Sequence, residues 1–418
     1  MTEKLTLKHL QDALGGNAAA FRCRRRLQPA GGEGDKVFPP TFAGAVYADE
    51  KRRLPARPEL VTCVLLDSVQ SQANRMELAL QEAIDVGKIK LPVLEVDFTE
   101  HGPTGDVEAD EKAGRLIDAI GKVTSLQVPH RLADAILRDS QIDGIDFRKS
   151  DKGKGLNTAS PVNATSVFAL CPTALVFGMW DSTGPKGGLG PRFERAMVSE
   201  VVGIGAEIGG LLRGVRRDPL EIRATAKVQK RANNSYSVID DKNVKGAVSP
   251  SKVNHSSVPF PEVKDRKTDN NRYSGATIEY AEQFTTLSLI CLRRLRFPIN
   301  GKANTKADTA ARTVLAALGL SAATLAFESG MGLRSRCLLW PDEPMEWELL
   351  ARPGEAPRKF SLTADEAVAL LNAAIEAASK TALPWESEPV SLEPSAQLLK
   401  LVRRSQLEAV KEGPDVTP

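Results

Sequence analysis

The 418-residue sequence predicts an α+β fold, with strands and helices alternating around one sheet and long irregular insertions between them. Three observations predict it. The run LVTCVLLDS (60–68) is apolar and β-branched almost throughout, as in a buried strand, and a helical period starts directly after it. Helical spacing returns late in the chain, in 281–297 and 305–327. Between these lie stretches with no period, longer than the connections of a compact enzyme. A split βαβ arrangement is the other form such a core takes.

Taken in order, residues 14–58 are rich in Gly, Pro and Arg and read as an extended N-terminal arm carrying Arg22, Arg24, Arg25 and Arg26. After the 60–68 strand, Ser68 is placed to cap a helix on which Val69, Ala73, Met76, Leu80 and Ile84 share one face, and Gly87 ends it. LPVLEVDF (91–98) reads as a strand, 131–139 as a helix and 143–163 as a polar connection. CPTALVFGMW (171–180) reads as a second buried strand. Residues 211–272 form a polar, basic insertion, a hairpin or loop, with turn signals at Asn233-Asn234, Pro250 and Pro259-Phe260-Pro261. RSRCLLW (334–340) reads as a strand leading to MEWELL (345–350), and Thr363 caps the helix that follows. The expected organisation is one domain over 1–418, with its core in 60–350 and a C-terminal helical segment and acidic tail in 351–418.

Hydrophobic and charged contents of 42% and 26% are those of an ordinary globular protein, and no apolar run approaches the roughly 18–20 residues that cross a bilayer. The N-terminus MTEKLTLKHL lacks a signal peptide's apolar stretch. Cys23, Cys63, Cys171, Cys291 and Cys337 are dispersed, which suits buried thiols in a reducing cytoplasm. The four histidines have no zinc spacing, and no metal or cofactor is expected. Net charge is only +3, but its distribution is uneven. Residues 1–58 carry 11 Lys/Arg against 6 Asp/Glu, and 211–272 carry 14 against 7. Residues 59–140 carry 8 against 15, and 342–418 carry 8 against 14. Such segregation places a positive groove on a balanced protein, or else reflects solvated loops of mixed sign.

Three segments carry chemistry. At the 60–68 strand's end, free N–H groups of a helix starting at Ser68 make an anion site, with Ser68, Gln70, Ser71, Asn74 and Arg75 in its first turns. The plain reading is a Ser-capped helix with a polar face. In the run from Asp181 to Arg195, Gly184, Gly187, Gly188 and Gly190 permit a chain path that turns N–H groups toward a phosphate, while Lys186, Arg192 and Arg195 supply charge. It is neither a Walker A loop nor a dinucleotide fingerprint, and a flexible turn is its plain reading. Arg293, Arg294 and Arg296 end the 281–297 helix, where basic residues also serve the helix dipole, and alternation puts Arg334 and Arg336 on one strand face. No hydrolase or metalloprotease motif is present. Asp67 and Asp181 each end a strand and are the only carboxylates placed to suggest a metal.

Five segments are not generic: LLDSVQSQANRMELAL, WDSTGPKGGLGPRFERAMVSEVVGI, FPPTFAG (38–44), TIEYAEQFTTLSLICLRRLRF (277–297) and LRSRCLLW (333–340). Together they resemble the backbone RAMP subunit of type I-U (also called I-G) CRISPR systems, a GSU-type member of the Cas-seven group of Cascade proteins. The resemblance spans roughly residues 20 to 350 and weakens beyond. It implies an RRM-like (ferredoxin-like) RAMP core with finger and thumb insertions. The thumb falls in 211–272 or in the arm Phe38–Tyr47, with the basic insertion favoured.

The resemblance further implies a non-catalytic crRNA-binding subunit that stacks with copies of itself in a helical filament along the guide and presents the bases for pairing with target DNA. The expected partners are the large Cascade subunit, a crRNA-end capping or processing subunit and a recruited helicase-nuclease. RNA contacts are expected at Ser68, Gln70, Ser71, Asn74 and Arg75, and at Lys186, Gly187, Gly188, Arg192 and Arg195, with Arg24, Arg25, Arg293 and Arg334 as further candidates. An aromatic content of 5% suits a phosphate-gripping surface better than one that stacks on bases. The rival reading is a RAMP endoribonuclease that processes or cleaves RNA, and a third is a capping subunit present once per complex.

Overall fold

A computed structural model of the protein describes residues 2–412 apart from 44–45, 56, 185, 210–218, 224, 232–234, 240–244, 254 and 256–274, with backbone only for 410–412. The chain divides into two compact units. One comprises Met1–Glu100, Ile120–Gly209 and Tyr273–Leu398; the other comprises His101–Ala119, Gly210–Arg272 and Leu399–Pro418.

The first unit is built on a ten-stranded sheet: β1 Glu3–Lys4, β2 Ala20–Pro29, β3 Asp49–Arg53, β4 Leu60–Asp67, β5 Met197–Ile204, β6 Tyr280–Ser288, β7 Met331–Arg334, β8 Cys337–Pro341, β9 Glu346–Leu350 and β10 Arg358–Ser361. Its order is β1-β10-β9-β2-β6-β5-β4-β3, with β8 also on β2 and β7 on β8. β8 pairs with the Leu27–Pro29 end of β2 and β9 with the Ala20–Arg22 end. In chain order come β2, then, after β3 and β4, α2 (Val69–Asp85), β5, β6 and α3 (Thr305–Phe327), and, after β7, β8. The four strands lie in the order β8-β2-β6-β5, every neighbour antiparallel.

The reading of 14–58 as an arm is corrected here, because β2 is a central strand. Phe21, Cys23, Arg25 and Leu27 alternate inward and are buried, while Arg22, Arg24 and Arg26 point outward. One charged residue at an inward position hid the period of two. The reading of 281–297 as a helix is likewise corrected. Ala281, Gln283, Thr285 and Leu287 face the core of β6, and only Leu289–Arg294 is helical, capped by Ser288. Here two buried polar residues mask the alternation.

CPTALVFGMW folds as a helix over Thr173–Phe177, after another over Thr165–Leu170, and contributes only Met179–Trp180 as strand. A short, fully buried apolar run carries no period that separates helix from strand, so this expectation had no firm basis. The 334–340 strand is instead a hairpin, β7 to β8, turning at Ser335 and Arg336. The φ of +57° at Arg336 breaks the alternation expected to align it with Arg334. The 131–139 helix is two short turns, Arg131–Ala133 and Ala135–Arg138.

The remaining expectations for long elements match the structure. α2 is capped by Ser68, whose Oγ accepts from the Ser71 N–H at 3.3 Å. The helix Ala364–Ser379 begins in a reciprocal capping box between Thr363 and Glu366. α3 is buried on most of its circumference; it has the length and apolarity of a membrane span, but 83% of that stretch lies inside the fold. Gly319 lets it approach the sheet: a Cβ there would sit 3.2 Å from Leu287 and 3.3 Å from Met197. LPVLEVDF supplies the strand Leu94–Asp97 of a separate five-stranded sheet, parallel to Val390–Pro394. So the first unit holds more than the one sheet expected.

In the second unit, Asp106 caps the helix Val107–Ala113, and the Gln406 side chain accepts from the Ile117 N–H at 2.8 Å and donates to the Asp118 carbonyl at 3.1 Å. The described part of the basic insertion forms a three-stranded antiparallel sheet with Val228–Lys230 between Tyr236–Val238 and Ala247–Val248. The turn signals at Asn233-Asn234 and Pro259-Phe260-Pro261 lie outside the described residues, and Pro250 opens a short 3-10 turn.

Candidate nucleic-acid interface

The strand–helix junction at Asp67 is held by charge. Asp67 is 1% exposed and accepts from Gln72 Nε2 at 2.6 Å, from Arg75 Nε at 2.9 Å and from Arg334 at 3.3 Å. Arg75 also donates to the carbonyl of Leu333 at 2.6 Å, and Arg334 to that of Phe38 at 3.3 Å. Both guanidiniums are therefore engaged within the fold by Asp67 and by backbone carbonyls. Gln72, on the same turn, continues inward to Ser199 at 2.9 Å and Gln283 at 3.2 Å, a buried polar seam between α2 and the sheet. Gln70 and Asn74 are the junction's exposed side chains, neither hydrogen-bonded among the described residues, and Ser71 is half-buried.

The segment after Phe177 runs out through Met179–Trp180 and back through Arg192–Phe193 as a short hairpin, then into β5. Its mount is rigid. Arg131 donates to both oxygens of Glu77, at 2.6 and 2.7 Å, and to the Gly178 carbonyl at 3.1 Å. Arg195 donates to the Phe177 carbonyl at 3.0 Å. Burial pushes the Glu77 carboxyl up to about 7, and the charge of Arg131 opposes that rise. Burial, reinforced by nearby Arg131, lowers the pKa of Arg195. On the loop side, buried Asp181 pairs with Arg148 at 2.7 Å, and its N–H donates to the Pro191 carbonyl at 2.9 Å. The glycines close around it: a Cβ on Gly190 would lie 1.9 Å from the Asp181 carbonyl, and one on Gly184 2.4 Å from its carboxylate.

The two segments meet. A groove of about 820 Å³ is lined by Gln70 and Asn74 from α2, His130 and Arg131, and Trp180, Ser182, Arg192, Glu194 and Arg195 from the hairpin, with the Glu194 carboxylate paired to Arg294 at 2.9 Å. Arg192 is exposed, with its Cζ 5.7 Å from the Trp180 ring centre, and among the described residues no carboxylate pairs with it. Lys186 is exposed and likewise unpaired among the described residues, on the loop beyond the groove lining. Gly187 has a φ of +54°, and Gly188 stands in open space.

Residues 21–208 match the family model for CRISPR-associated protein GSU0053. Over that span, less than half of the chain, it is similar to that CRISPR-associated family. The matched span contains both walls of the groove and most of β2, together with β3, β4, α2 and β5. No curated protein matches the chain.

The other candidates sit elsewhere in the chain. Arg25 is 4% exposed and donates to the Phe327 carbonyl at 2.7 Å on the helix-covered face of the sheet, out of reach of a ligand; burial lowers its pKa. Arg24 pairs with Glu282 across the open sheet face, beside Arg22 with Glu348 at 2.6 Å, Arg26 with Asp342 at 3.4 Å and Arg52 with Glu200 at 2.9 Å. That face is charge-balanced, so the basic run makes no free positive patch. Arg293 donates to the Ala13 carbonyl at 3.4 Å.

Sequence reasoning missed Trp180, Arg131 and Glu77. Trp180 stood at the edge of a quoted motif. The pairing of Glu77 with Arg131, 54 residues apart, left no local sign.

Proposed function

We propose that this chain binds single-stranded RNA by its sugar-phosphate backbone, as the repeated crRNA-holding subunit of a type I Cascade surveillance complex, and carries out no chemistry on it. The observation that carries this reading is the groove in which neutral hydrogen-bonding side chains of α2, Gln70 and Asn74, face the unpaired guanidinium of Arg192. Cationic and amide groups without partners of their own suit phosphate and ribose, which position a strand without reading it. The strand order β8-β2-β6-β5, threaded β-α-β-β-α-β, supports an RRM-like core for such a subunit. The basic insertion joins β5 to β6, two adjacent antiparallel strands, as a thumb projecting from the core would. Against the ribonuclease alternative, Asp67 is neutralised by two arginines and Asp181 by Arg148, so each carboxylate would have to leave a cation before binding a metal.

The test is the double variant Lys186→Glu/Arg192→Glu, chosen because neither side chain supports the fold. Its affinity for a single-stranded RNA should fall across all sequences. The slope of log K against log salt should flatten by about 1.4, two phosphates at about 0.7 each on a single strand. Unchanged affinity at several salt concentrations removes this surface from the interface.

A further inference from the structure

Resting on that reading, we infer that the groove also takes a nucleobase, stacked on the indole of Trp180, so that each copy holds one nucleotide by its base as well as by its backbone. Trp180 is 54% exposed, although hydrogen bonds and ion pairs hold the chain on either side of it. On its N-terminal side the carbonyls of Phe177 and Gly178 are held by Arg195 and by the Glu77–Arg131 pair. On its C-terminal side Asp181 is fixed by Arg148 and by the Pro191 carbonyl. Gly178, at a φ of +84°, turns the chain out toward the groove; a Cβ there would come within 3.3 Å of the Arg195 backbone nitrogen and the Phe193 carbonyl. Two buried ion pairs thus hold in place a large apolar ring that stays half in water.

Of the other three tryptophans, Trp340 is exposed too, at 59%, but lies outside the groove lining. Trp347 lies in the core, and Trp385 packs against Phe168 with ring centres 5.2 Å apart. Across from Trp180 stands Arg192, its register partner in the hairpin, whose guanidinium lies 5.7 Å from the ring centre. An aromatic plane beside a cation and two amide side chains has the composition of a single nucleotide's site: the ring for the base, Arg192 for the phosphate, Gln70 and Asn74 for ribose or base edges. Every base has a π-face, so the site tolerates any sequence, as a guide-holding protein requires.

The experiment uses the full chain and a 30-nucleotide single-stranded RNA, with binding read by fluorescence anisotropy at several salt concentrations. Trp180→Ala should bind about ten-fold more weakly at every salt concentration with the salt slope unchanged, while Trp180→Phe stays within about three-fold of wild type. On an abasic ribose-phosphate strand of the same length, wild type and Trp180→Ala should bind equally. The inference is overturned if Trp180→Ala matches wild type on RNA, if it loses as much on the abasic strand, or if Trp180→Phe loses as much as Trp180→Ala. If Lys186→Glu/Arg192→Glu weakens binding while Trp180→Ala does not, stacking alone fails; if neither does, the RNA-binding reading fails with it.

Discussion

Arg25 lies between Cys23 and Leu27 on the covered face of β2, with one guanidinium nitrogen on the Phe327 carbonyl and Nε buried without a partner. A charge in that position ties the end of α3 to the sheet at the expense of its own solvation. Arg25→Ala should lower the unfolding free energy by roughly 2–4 kcal/mol, since it opens a cavity and orphans the carbonyl. Arg25→Met, which fills the space without charge, should cost less than about 1.5 kcal/mol. Urea denaturation reads both, and RNA affinity should be the same as wild type in the Met variant. An affinity loss there would return Arg25 to the interface. Its neighbours Arg22, Arg24 and Arg26 differ from it only in pointing the other way, where exposed pairs contribute little to stability.

At the scale of elements, the glycines between Trp180 and Arg192 have separate roles. Gly190 closes the loop onto Asp181, where any side chain collides with the carbonyl, whereas Gly188 has nothing within 4 Å. Gly190→Ala should therefore shift the hairpin that carries Trp180 and Arg192 and reduce RNA affinity about five- to ten-fold, although it adds only a methyl group. Gly188→Ala should stay within two-fold, because the N–H it offers a phosphate is kept. Parallel anisotropy titrations of the two variants distinguish a shaped loop from a flexible one; equal behaviour would mean that the loop has no fixed form in the complex. The groove's two walls are held in the same way: α2 is anchored through Asp67 and the hairpin through Asp181, each carboxylate fixed by arginine.

For the whole molecule, the proposed role requires several copies on one RNA. A complex purified with its guide should contain more than one copy of this chain per RNA by native mass spectrometry, and the RNA should be of discrete length. Asp181→Asn should leave that length unchanged. One copy per RNA would favour a capping subunit, and a changed length would revive the ribonuclease reading.

The sequence by itself determined the α+β class, α2 with its Ser68 cap, α3, the Thr363 capping box and the two segments that form the groove, because caps and long apolar periods are local. It also carried the resemblance that the family match over 21–208 bears out. Only the tertiary structure decided which arginines are free. Arg75 and Arg334 are taken up by Asp67, Arg195 and Arg131 by backbone carbonyls at the groove, and Arg25 by the core, while Arg192 stays unpaired among the described residues. The strands β2 and β6 were illegible for the same reason. Their inward positions hold Arg25, Gln283 and Thr285, which hydrogen-bond to partners far away in the chain, and no local pattern of hydrophobicity records a partner that distant.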